Sequence, residues 1–558
     1  MKFNYRIFLF ILIITPVFVY ASIKAMQING WDDWDFGSAQ TMLTIRYWAR
    51  DGMSNHKFFF IPSGYNSKIN FVDEPEFRFL ADGTAAGELI GRRLYYTHYP
   101  SGYLVPYGLL SKLGFENRFW FRLLAICFSF GAVFFLYGFI YYVTNKKHWP
   151  AFIAVFYYIT STIFLRYADS LANQPVDDFL RWSILFFSIF VSQKIIDKNL
   201  KNKFYILIWF LYFILAISSY DSTFFIFFWL CALNFYENFC KDKKWYKQIF
   251  TKINLKKYFF WALAPILAFI VQILQNTWYL GFKDTLLDFF GVLIFRSTET
   301  MGNANSLPFL IKSVVVSLTN IGYFLGMRTR YALPLLIIIL LFMYKNKIIA
   351  WHSSVWHYVM FLVCSGSLIG FVLPGVGIFG YQGRQMAPAL LAIISIATYE
   401  IFKKLKEKNF SFKHLILCLL LTFLWFSNFK TTYTYVKQWP NNIVSTTKID
   451  YWNKLNNATD QNTIILTLKD INEMQHGKFI PQFYLDRLTL FFSNTDEALF
   501  YMGRIRQSIK KVDFLLVIPK DDLGIVDNFM KENKDYSAQQ INIEKDNLIN
   551  IKIQENEF

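Results

Sequence analysis

The strongest constraint on this chain is a series of long apolar segments separated by short loops rich in lysine. Of its 558 residues, 54% are hydrophobic and only 17% are charged, whereas soluble domains carry about 25% charged residues. Several apolar runs reach the roughly 17 to 25 residues that are needed to cross about 30 Å of hydrocarbon. The chain is therefore predicted to be a polytopic α-helical membrane protein.

The formal net charge of +18 first suggests a protein that binds nucleic acid. The lysines, however, are concentrated in loops between apolar segments, such as 194–203, 241–257 and 403–413. This distribution follows the positive-inside rule for cytoplasmic loops, so we expect no nucleic-acid partner. The five cysteines lie in apolar runs or at their ends, and they predict neither a disulfide framework nor a cysteine metal site.

The alternation of apolar runs and basic loops predicts about eleven transmembrane helices. The abundance of Lys, Asn, Ile and Phe suggests a bacterial protein, so the expected location is the bacterial cytoplasmic (inner) membrane. Lys2 and Arg6 place the start of the first segment, 7–21, in the cytoplasm, so that the loop 22–118 is external. We interpret 275–330 as external, with amphipathic or re-entrant helices, because a crossing there would move later lysine-rich loops outside. The other predicted spans are 119–143, 149–165, 179–192, 204–219, 223–236, 258–273, 331–344, 355–372, 386–402 and 415–429.

Hydropathy falls after residue 430. Segments 462–468 and 512–519 are typical of strands, and 496–510 and 523–532 are typical of helices. The sequence therefore predicts a transmembrane domain, 1–430, followed by a small external soluble α/β domain, 431–558. The expected role of this second domain is to bind an acceptor or to stabilise the protein.

Four clusters of polar residues fall on the predicted external face, each next to the end of a span. They are Asp32, Asp33 and Asp35; the segment 95–103, which contains His98; the segment 166–169 together with Asp177 and Asp178; and the segment 381–385, which contains Tyr381 and Arg384. Three carboxylates within four positions repel one another unless a cation, a proton or a partner shares their site. Arginine binds phosphate through its planar fork, and a carboxylate can accept a proton or hold a divalent metal. The combination suits an anionic lipid and an uncharged hydroxyl acceptor.

These residues also have structural alternatives. Arg384 could extend from the end of a span to the membrane interface, and His98 could be a hydrogen-bonded loop residue. Asp169 and Asp221 are expected to cap helices rather than to react.

The order of the clusters resembles the GT-C superfamily of membrane glycosyltransferases, in particular the protein mannosyltransferase and aminoarabinose-transferase group. Asp32-Asp33 matches the acidic motif in the first loop of that group. The segment from His98 to Tyr103 resembles its Lys/His-Pro-Pro segment, with Tyr99 where the first proline would be. The segment from Arg166 through Asp177-Asp178 resembles the second acidic loop, and the segment 383–388 resembles the late Arg…Pro segment. The resemblance covers roughly residues 1–429.

The resemblance implies a GT-C-like fold and transfer of a sugar from a polyprenyl-phosphate donor to a lipid, glycan or protein on the external face, most simply with inversion. The implied catalytic residues are Asp32, Asp33, Asp177 and Asp178. The implied substrate-binding residues are His98, Arg92, Arg93, Arg384 and Tyr381. A divalent metal, Mg²⁺ or Mn²⁺, held by Asp33 and Asp35 is an open alternative to Asp32 or Asp33 acting as a base.

Two other functions stay open on the sequence alone. A transporter or flippase of lipid-linked sugars would carry ionisable residues near the membrane midplane, and the predicted spans contain few of them. A non-catalytic scaffold for the C-terminal domain would have no need for carboxylates concentrated beside Trp31 and Trp34. The enzyme is the preferred hypothesis.

Overall fold

The computed structural model describes a large part of the chain, with gaps. The described residues are 5–27, 36–61, 95–97, 99–194, 197–239, 251–286, 289, 329–346, 354–372, 384–442, 445–460, 463–468, 471, 480–487, 489–508, 512–532, 534, 536–541, 543 and 548–555. The chain divides into two compact units, one of Met1–Met26, Tyr99–Tyr103 and Phe119–Gln438, and one of Gln27–His98, Leu104–Arg118 and Trp439–Phe558.

The described helices include one at each of the predicted spans. They are α1 (Tyr5–Met26), α2 (Phe36–Asp51), α3 (Val105–Lys112), α4 (Arg118–Val143), α5 (His148–Ile159), α6 (Thr162–Tyr167), α7 (Gln174–Lys194), α8 (Lys198–Ala216), α9 (Tyr220–Phe239), α10 (Lys252–Leu280), α11 (Thr329–Lys345), α12 (Ser354–Val372), α13 (Ala387–Lys406), α14 (Phe412–Gln438), α15 (Thr446–Asn457), α16 (Ile480–Leu485), α17 (Thr495–Ser508) and α18 (Gly524–Glu532).

Five helical segments within the described residues are long and apolar enough to cross a membrane. They are Phe8–Met26, Arg118–Val143, Asn254–Leu280, Arg384–Lys406 and Phe412–Gln438. The protein is thus an integral membrane protein. The number of crossings and the orientation stay predictions, and most of the ambiguous region, 290–328, lies outside the described residues.

The predicted span 149–165 is not one continuous helix. It divides into α5 and α6 at Thr160 and Ser161, where the backbone of Ser161 is extended (φ −80°, ψ 147°). The Ser161 side chain accepts a hydrogen bond from the backbone N–H of Phe164, which satisfies one of the orphan donors at the start of α6. The hydrophobic pattern missed this break because a local cap outweighed the apolar periodicity.

Two glycines of α4 let the side chains of α7 approach closely. A Cβ atom on Gly131 would meet the ring of Phe179 at 2.8 Å, and one on Gly138 would meet the ring of Phe186 at 2.5 Å. Small residues permit such close packing between membrane helices. The contacts fix α7, whose first two turns carry the acidic pair.

The second unit contains a five-stranded mixed sheet. Its strands are β1 (Ile464–Leu468), β2 (Thr489–Phe492), β3 (Phe514–Pro519), β4 (Tyr536–Ile541) and β5 (Leu548–Glu555), in the spatial order β2-β1-β3-β5-β4. Strands β1, β2 and β3 are parallel, whereas β5 pairs antiparallel with both β3 and β4. The predicted strands at 462–468 and 512–519 and helices at 496–510 and 523–532 are found as β1, β3, α17 and α18.

Helix α2 from the predicted first loop belongs to the same unit as the sheet. The Tyr47 hydroxyl donates to Oδ1 of Asp486 at 2.9 Å, and Nη1 of Arg46 donates to the carbonyl of Phe483 at 3.0 Å. The unit therefore combines the first loop with residues after 438. The domain limits 1–430 and 431–558, and the external location of the second domain, stay predictions.

Candidate active site

The acidic pair Asp177-Asp178 lies in the first turns of α7, which begins at Gln174, and not in the preceding loop as the sequence predicted. Two features explain the earlier start. Proline is tolerated in the first turn of a helix, where Pro175 stands, and carboxylates are stabilised there by the helix dipole. Both carboxylates are consequently held by a regular element at the start of a predicted span.

Asp177 is fully buried and bound on one side only. Its Oδ2 atom accepts a hydrogen bond from the Ser222 hydroxyl at 2.8 Å and lies 3.3 Å from Nη2 of Arg384 and 3.8 Å from Nη1 of Arg181. Its Oδ1 atom is buried and makes no hydrogen bond within the described part of the chain. A buried carboxylate oxygen of this kind can accept a hydrogen bond from a bound hydroxyl group.

Asp178 is the more accessible member of the pair, with 15% of its side chain exposed. Its Oδ2 atom accepts a hydrogen bond from the Tyr158 hydroxyl at 2.8 Å. Its Oδ1 atom contacts Nη2 of Arg181 directly and lies 3.9 Å from Nη1 of Arg384. Asp178 therefore shares both arginines with Asp177.

A polar network joins three parts of the first unit around these carboxylates. Nη1 of Arg181 donates to Oε1 of Gln385 at 3.2 Å, and Nε2 of Gln385 donates to the Ser222 hydroxyl at 2.9 Å. Arg384 and Gln385 belong to a short 3₁₀ turn before α13, and Ser222 lies in the first turn of α9. The network thus fixes the starts of α7, α9 and α13 together. Two carboxylates and two guanidinium groups give it a formal charge near zero, as a buried cluster requires.

A small cavity of about 10 Å³ borders this cluster, with Asp178, Arg384 and Gln174 in its wall. That volume is close to the space that one water molecule needs. The Oε1 atom of Gln174 is buried and forms no hydrogen bond to the residues that the structure describes. The cavity therefore offers polar partners for a small polar group beside Arg384.

The chain matches known proteins in structure and not in sequence. No protein-family model and no curated protein sequence matches the chain. The chain is similar to the crystal structure of ArnT from Cupriavidus metallidurans bound to undecaprenyl phosphate, with a TM-score of 0.52 and 10% identity over 97% of each chain.

The chain has the GT-C fold. The predicted resemblance to that superfamily is thereby confirmed for the fold. The archaeal oligosaccharyltransferase AglB from Archaeoglobus fulgidus, in complex with an inhibitory peptide and a dolichol-phosphate, matches with a TM-score of 0.47 and 11% identity over 94% of this chain and 72% of that chain. A complex of the oligosaccharyltransferase from the same organism with Zn and sulfate matches at 0.45 and 12%, over 94% and 71%.

Within the GT-C fold, three of the predicted site residues converge: Asp177, Asp178 and Arg384. The other predicted positions, Asp32, Asp33, Asp35, Arg92, Arg93, His98 and Tyr381, lie outside the described residues. Their roles stay predictions.

Sequence reasoning missed Arg181, Tyr158 and Ser222, all of which bind the acidic pair. Arg181 stands three and four residues after the two carboxylates, and helical spacing places such residues on one face. That signal was available in the sequence. Tyr158 and Ser222 carried no comparable signal, because each reaches the pair from another helix.

The Asp169 carboxylate is bound by two buried cations. It binds Nζ of Lys24 at 2.8 Å and Nη1 of Arg122 at 2.9 Å. All three residues are at most 4% exposed. This buried cluster ties α1 and α4 to the chain between α6 and α7, and the expectation that Asp169 caps a helix stays a prediction.

The described carboxylates do not fit a divalent cation, because Asp177 and Asp178 already face two guanidinium groups that would repel it. No group of three His, Cys, Asp or Glu side chains that could hold a metal ion occurs among the described residues. The predicted Mg²⁺ or Mn²⁺ site at Asp33 and Asp35 lies outside them. The chemistry of the described cluster is therefore that of carboxylates and guanidinium groups.

The described part of the predicted His/Pro segment contacts the turn between α8 and α9 and the chain before α7. The Tyr99 hydroxyl donates to Ser219 at 3.3 Å and accepts from Nδ2 of Asn173 at 2.6 Å. The Gly102 N–H donates to the carbonyl of Ile217 at 2.9 Å. The segment is thus held by residues that precede Ser222 and the acidic pair by only a few positions in the sequence.

Gly102→Ala is expected to displace this segment, because the added Cβ would lie 2.4 Å from the carbonyl oxygen of Ile217. Overpacking of this kind costs about 1–3 kcal/mol. We expect a lower thermal midpoint and faster hydrogen exchange in 99–103 and 216–222. Gly503→Ala is the matched control, since no atom lies within 4 Å of the corresponding Cβ. Equal midpoints for the two variants would contradict the proposed anchoring.

Proposed function

We propose that the protein is a glycosyltransferase that moves a sugar from a polyprenyl-phosphate-linked donor to a hydroxyl-bearing lipid, glycan or protein on the external face of the membrane. The observation that carries the proposal is the buried convergence of Arg384 with Asp177 and Asp178 at the starts of two membrane helices. The GT-C fold adds support, because the similar ArnT structure is bound to undecaprenyl phosphate.

In the proposed reaction the acceptor oxygen attacks the anomeric carbon of the sugar. The bond from that carbon to the phosphate oxygen breaks, and polyprenyl phosphate leaves with the bonding electron pair. The acceptor proton passes to a carboxylate, for which Asp32 or Asp33 is proposed. A single displacement inverts the anomeric centre.

Arg384 is proposed to bind the donor phosphate, where a planar fork can make two parallel hydrogen bonds. Arg92 and Arg93 are proposed to assist, and His98 and Tyr381 to contact the sugar or phosphate. Asp177 is proposed to position the acceptor hydroxyl through its Oδ1 atom. The opposite charges of the neighbouring Asp178 and Arg181 then balance each other within the cluster when the phosphate binds.

A flippase of lipid-linked sugars is the second candidate, and one observation favours it. Arg122 and Arg181, two of the few ionisable residues within predicted spans, are fully buried. Both residues are nevertheless near the starts of their helices, about 6 Å and 10 Å along the axis at 1.5 Å per residue. A position near one membrane face suits surface chemistry better than transport through the midplane.

The test uses the full-length protein in lipid nanodiscs with a panel of radiolabelled polyprenyl-phosphate sugars. We expect wild type to release free polyprenyl phosphate with at least one donor, and Asp33→Asn and Asp177→Asn to lower the rate by at least 100-fold, within the range typical of active-site acid–base and electrostatic residues. Asp197→Asn is the matched control, since this exposed residue caps α8 and asparagine caps equally well.

Two outcomes would overturn the proposal. The first is full release by all of the variants, and the second is donor binding without release for every sugar in the panel. The second result, combined with movement of the donor between leaflets, would assign the flippase function. A parallel series with EDTA separates a carboxylate base from a metal at Asp33 and Asp35.

A further inference from the structure

A pocket of about 500 Å³ lies between α7, α8, α9 and α10. Its wall includes Ser188, which lies about 16 Å further along α7 than Asp177, at 1.5 Å per residue. The pocket is therefore separate from the candidate active site. Its volume lies within the range of about 300–1,000 Å³ that is usual for small-molecule sites.

The wall of the pocket changes from polar to apolar along α10. Lys256 and Lys257 stand near the start of this helix, and Phe260 and Trp261 stand one turn further along. The lysines and Trp261 are separated by about 6–8 Å along the axis. One end of the pocket is thus cationic, and the interior is aromatic.

Helices α8 and α9 show the same order of polar and apolar residues. On α8, which starts at the same end, Asn202 precedes Tyr205 and Ile208, and on α9, which ends there, Leu230 precedes Asn234. Nζ of Lys257 donates to Oδ1 of Asn234 at 3.1 Å, so the lysine head is held at the pocket. Three helices therefore place polar groups at one end and hydrocarbon groups at the other.

Positive charge dominates the polar end. No carboxylate lines the pocket among the residues that the structure describes. Segment 241–247, outside the described residues, contains four lysines and a single aspartate in the sequence. Ile206, in the wall of the pocket, is 63% exposed on the apolar surface of α8, so a chain from the surrounding bilayer can enter from that side.

We propose that this pocket binds an anionic glycerophospholipid from the leaflet at the lysine-rich membrane face. The phosphate contacts Lys256 and Lys257, and part of one acyl chain lies between α8, α9 and α10. Ammonium groups bind phosphate through charge-assisted hydrogen bonds, and basic groups next to a membrane helix attract anionic lipid. The bound lipid fills a space between α9 and α10 that the described residues leave open.

The experiment uses the full-length protein, stripped of lipid in a neutral detergent, and adds phosphatidylglycerol or phosphatidylcholine with identical acyl chains. Native mass spectrometry counts bound lipids, and a thermal scan gives the unfolding midpoint. We expect phosphatidylglycerol to bind and to raise the midpoint by a few degrees, as any ligand specific for the native state does. Phosphatidylcholine is expected to produce neither effect.

Three variants locate the site. Lys256→Gln/Lys257→Gln is expected to lose at least 10-fold in affinity for phosphatidylglycerol. Asn202→Trp, at an exposed position in the wall, is expected to block entry without disturbing the core. The matched control Lys406→Gln/Lys413→Gln removes two exposed lysines that do not line the pocket, and it should bind as wild type does.

Equal binding of phosphatidylglycerol by wild type and by both pocket variants would overturn the proposal. So would a loss of binding that is equally large in the control, because the attraction would then come from net charge alone. Displacement of phosphatidylglycerol from the pocket by equimolar undecaprenyl phosphate would also overturn it and assign the pocket to the carrier lipid. These readouts do not depend on sugar transfer, so they stand apart from the test of the proposed function.

Discussion

Replacing Arg384 with alanine is expected to lower the rate of sugar transfer by about 10²–10³-fold, the loss usual for one group that stabilises developing charge. Arg384 is 2% exposed and lies within 4 Å of both carboxylates of the acidic pair. Without its guanidinium group the leaving phosphate would lose its proposed cation. Arg384→Lys keeps the charge but not the planar fork, so we expect an intermediate rate. The measurement is release of polyprenyl phosphate under single-turnover conditions.

A second variant separates catalysis from folding. Arg384→Ala leaves the buried Asp177 and the partly exposed Asp178 with one arginine, and an unbalanced buried charge costs about 3–5 kcal/mol. Arg384→Ala/Asp177→Asn restores the charge balance, so its thermal midpoint should recover in part while transfer stays low. The exposed Arg50, paired with Asp51 in the second unit, supplies the control Arg50→Lys. Normal transfer by Arg384→Ala would remove Arg384 from the proposed site.

Asp169→Asn is expected to destabilise the protein by about 3–5 kcal/mol, the usual cost of removing one partner from a buried ion pair. The reason is geometric, because this carboxylate binds Lys24 with one oxygen and Arg122 with the other. Both cations would stay buried without their counter-charge. The apparent midpoint of thermal unfolding in detergent, taken at one fixed scan rate, measures the effect.

The double variant Lys24→Met/Asp169→Asn identifies the origin of that loss. It removes one of the two buried cations, so we expect a midpoint above that of Asp169→Asn and below that of wild type. Asp527→Asn, at an exposed position in α18, controls for the chemical change. A midpoint for Asp169→Asn within one degree of wild type would mean that water reaches the cluster and screens it.

Hydropathy predicted the positions of the membrane helices but not their ends. The length of an apolar run reflects the thickness of the bilayer. A helix, in contrast, continues as long as its backbone N–H and C=O groups find hydrogen-bond partners. Helix α14 therefore runs to Gln438, beyond the predicted limit at Phe429, through polar residues that tolerate helical geometry. The start of α7 at a proline and two carboxylates, and the hydrogen-bonded cap at Ser161, are likewise local features that a hydropathy average does not contain.

The sequence predicted those residues of the candidate site whose type alone indicates a function. Paired aspartates and an arginine at the ends of apolar runs indicated a polar function, and Asp177, Asp178 and Arg384 do converge. Arg181 was missed because it stands inside an apolar run, where the pattern was interpreted only as a span. The pairing of Lys24 with Asp169 joins distant segments, and no local pattern in one sequence specifies which distant charges will meet.

The Lys24–Asp169 ion pair also determines the order of two steps in biosynthesis, the insertion of α1 and its docking. The two residues are separated by 145 positions in the chain, and a ribosome adds about 5–20 residues per second. Helix α1 therefore emerges about 7–30 s before the carboxylate that neutralises Lys24 is made. During that interval the lysine near the end of α1 must stay at the aqueous edge of the translocation machinery. The first helix can be inserted early, but its final docking waits for the chain that follows α6.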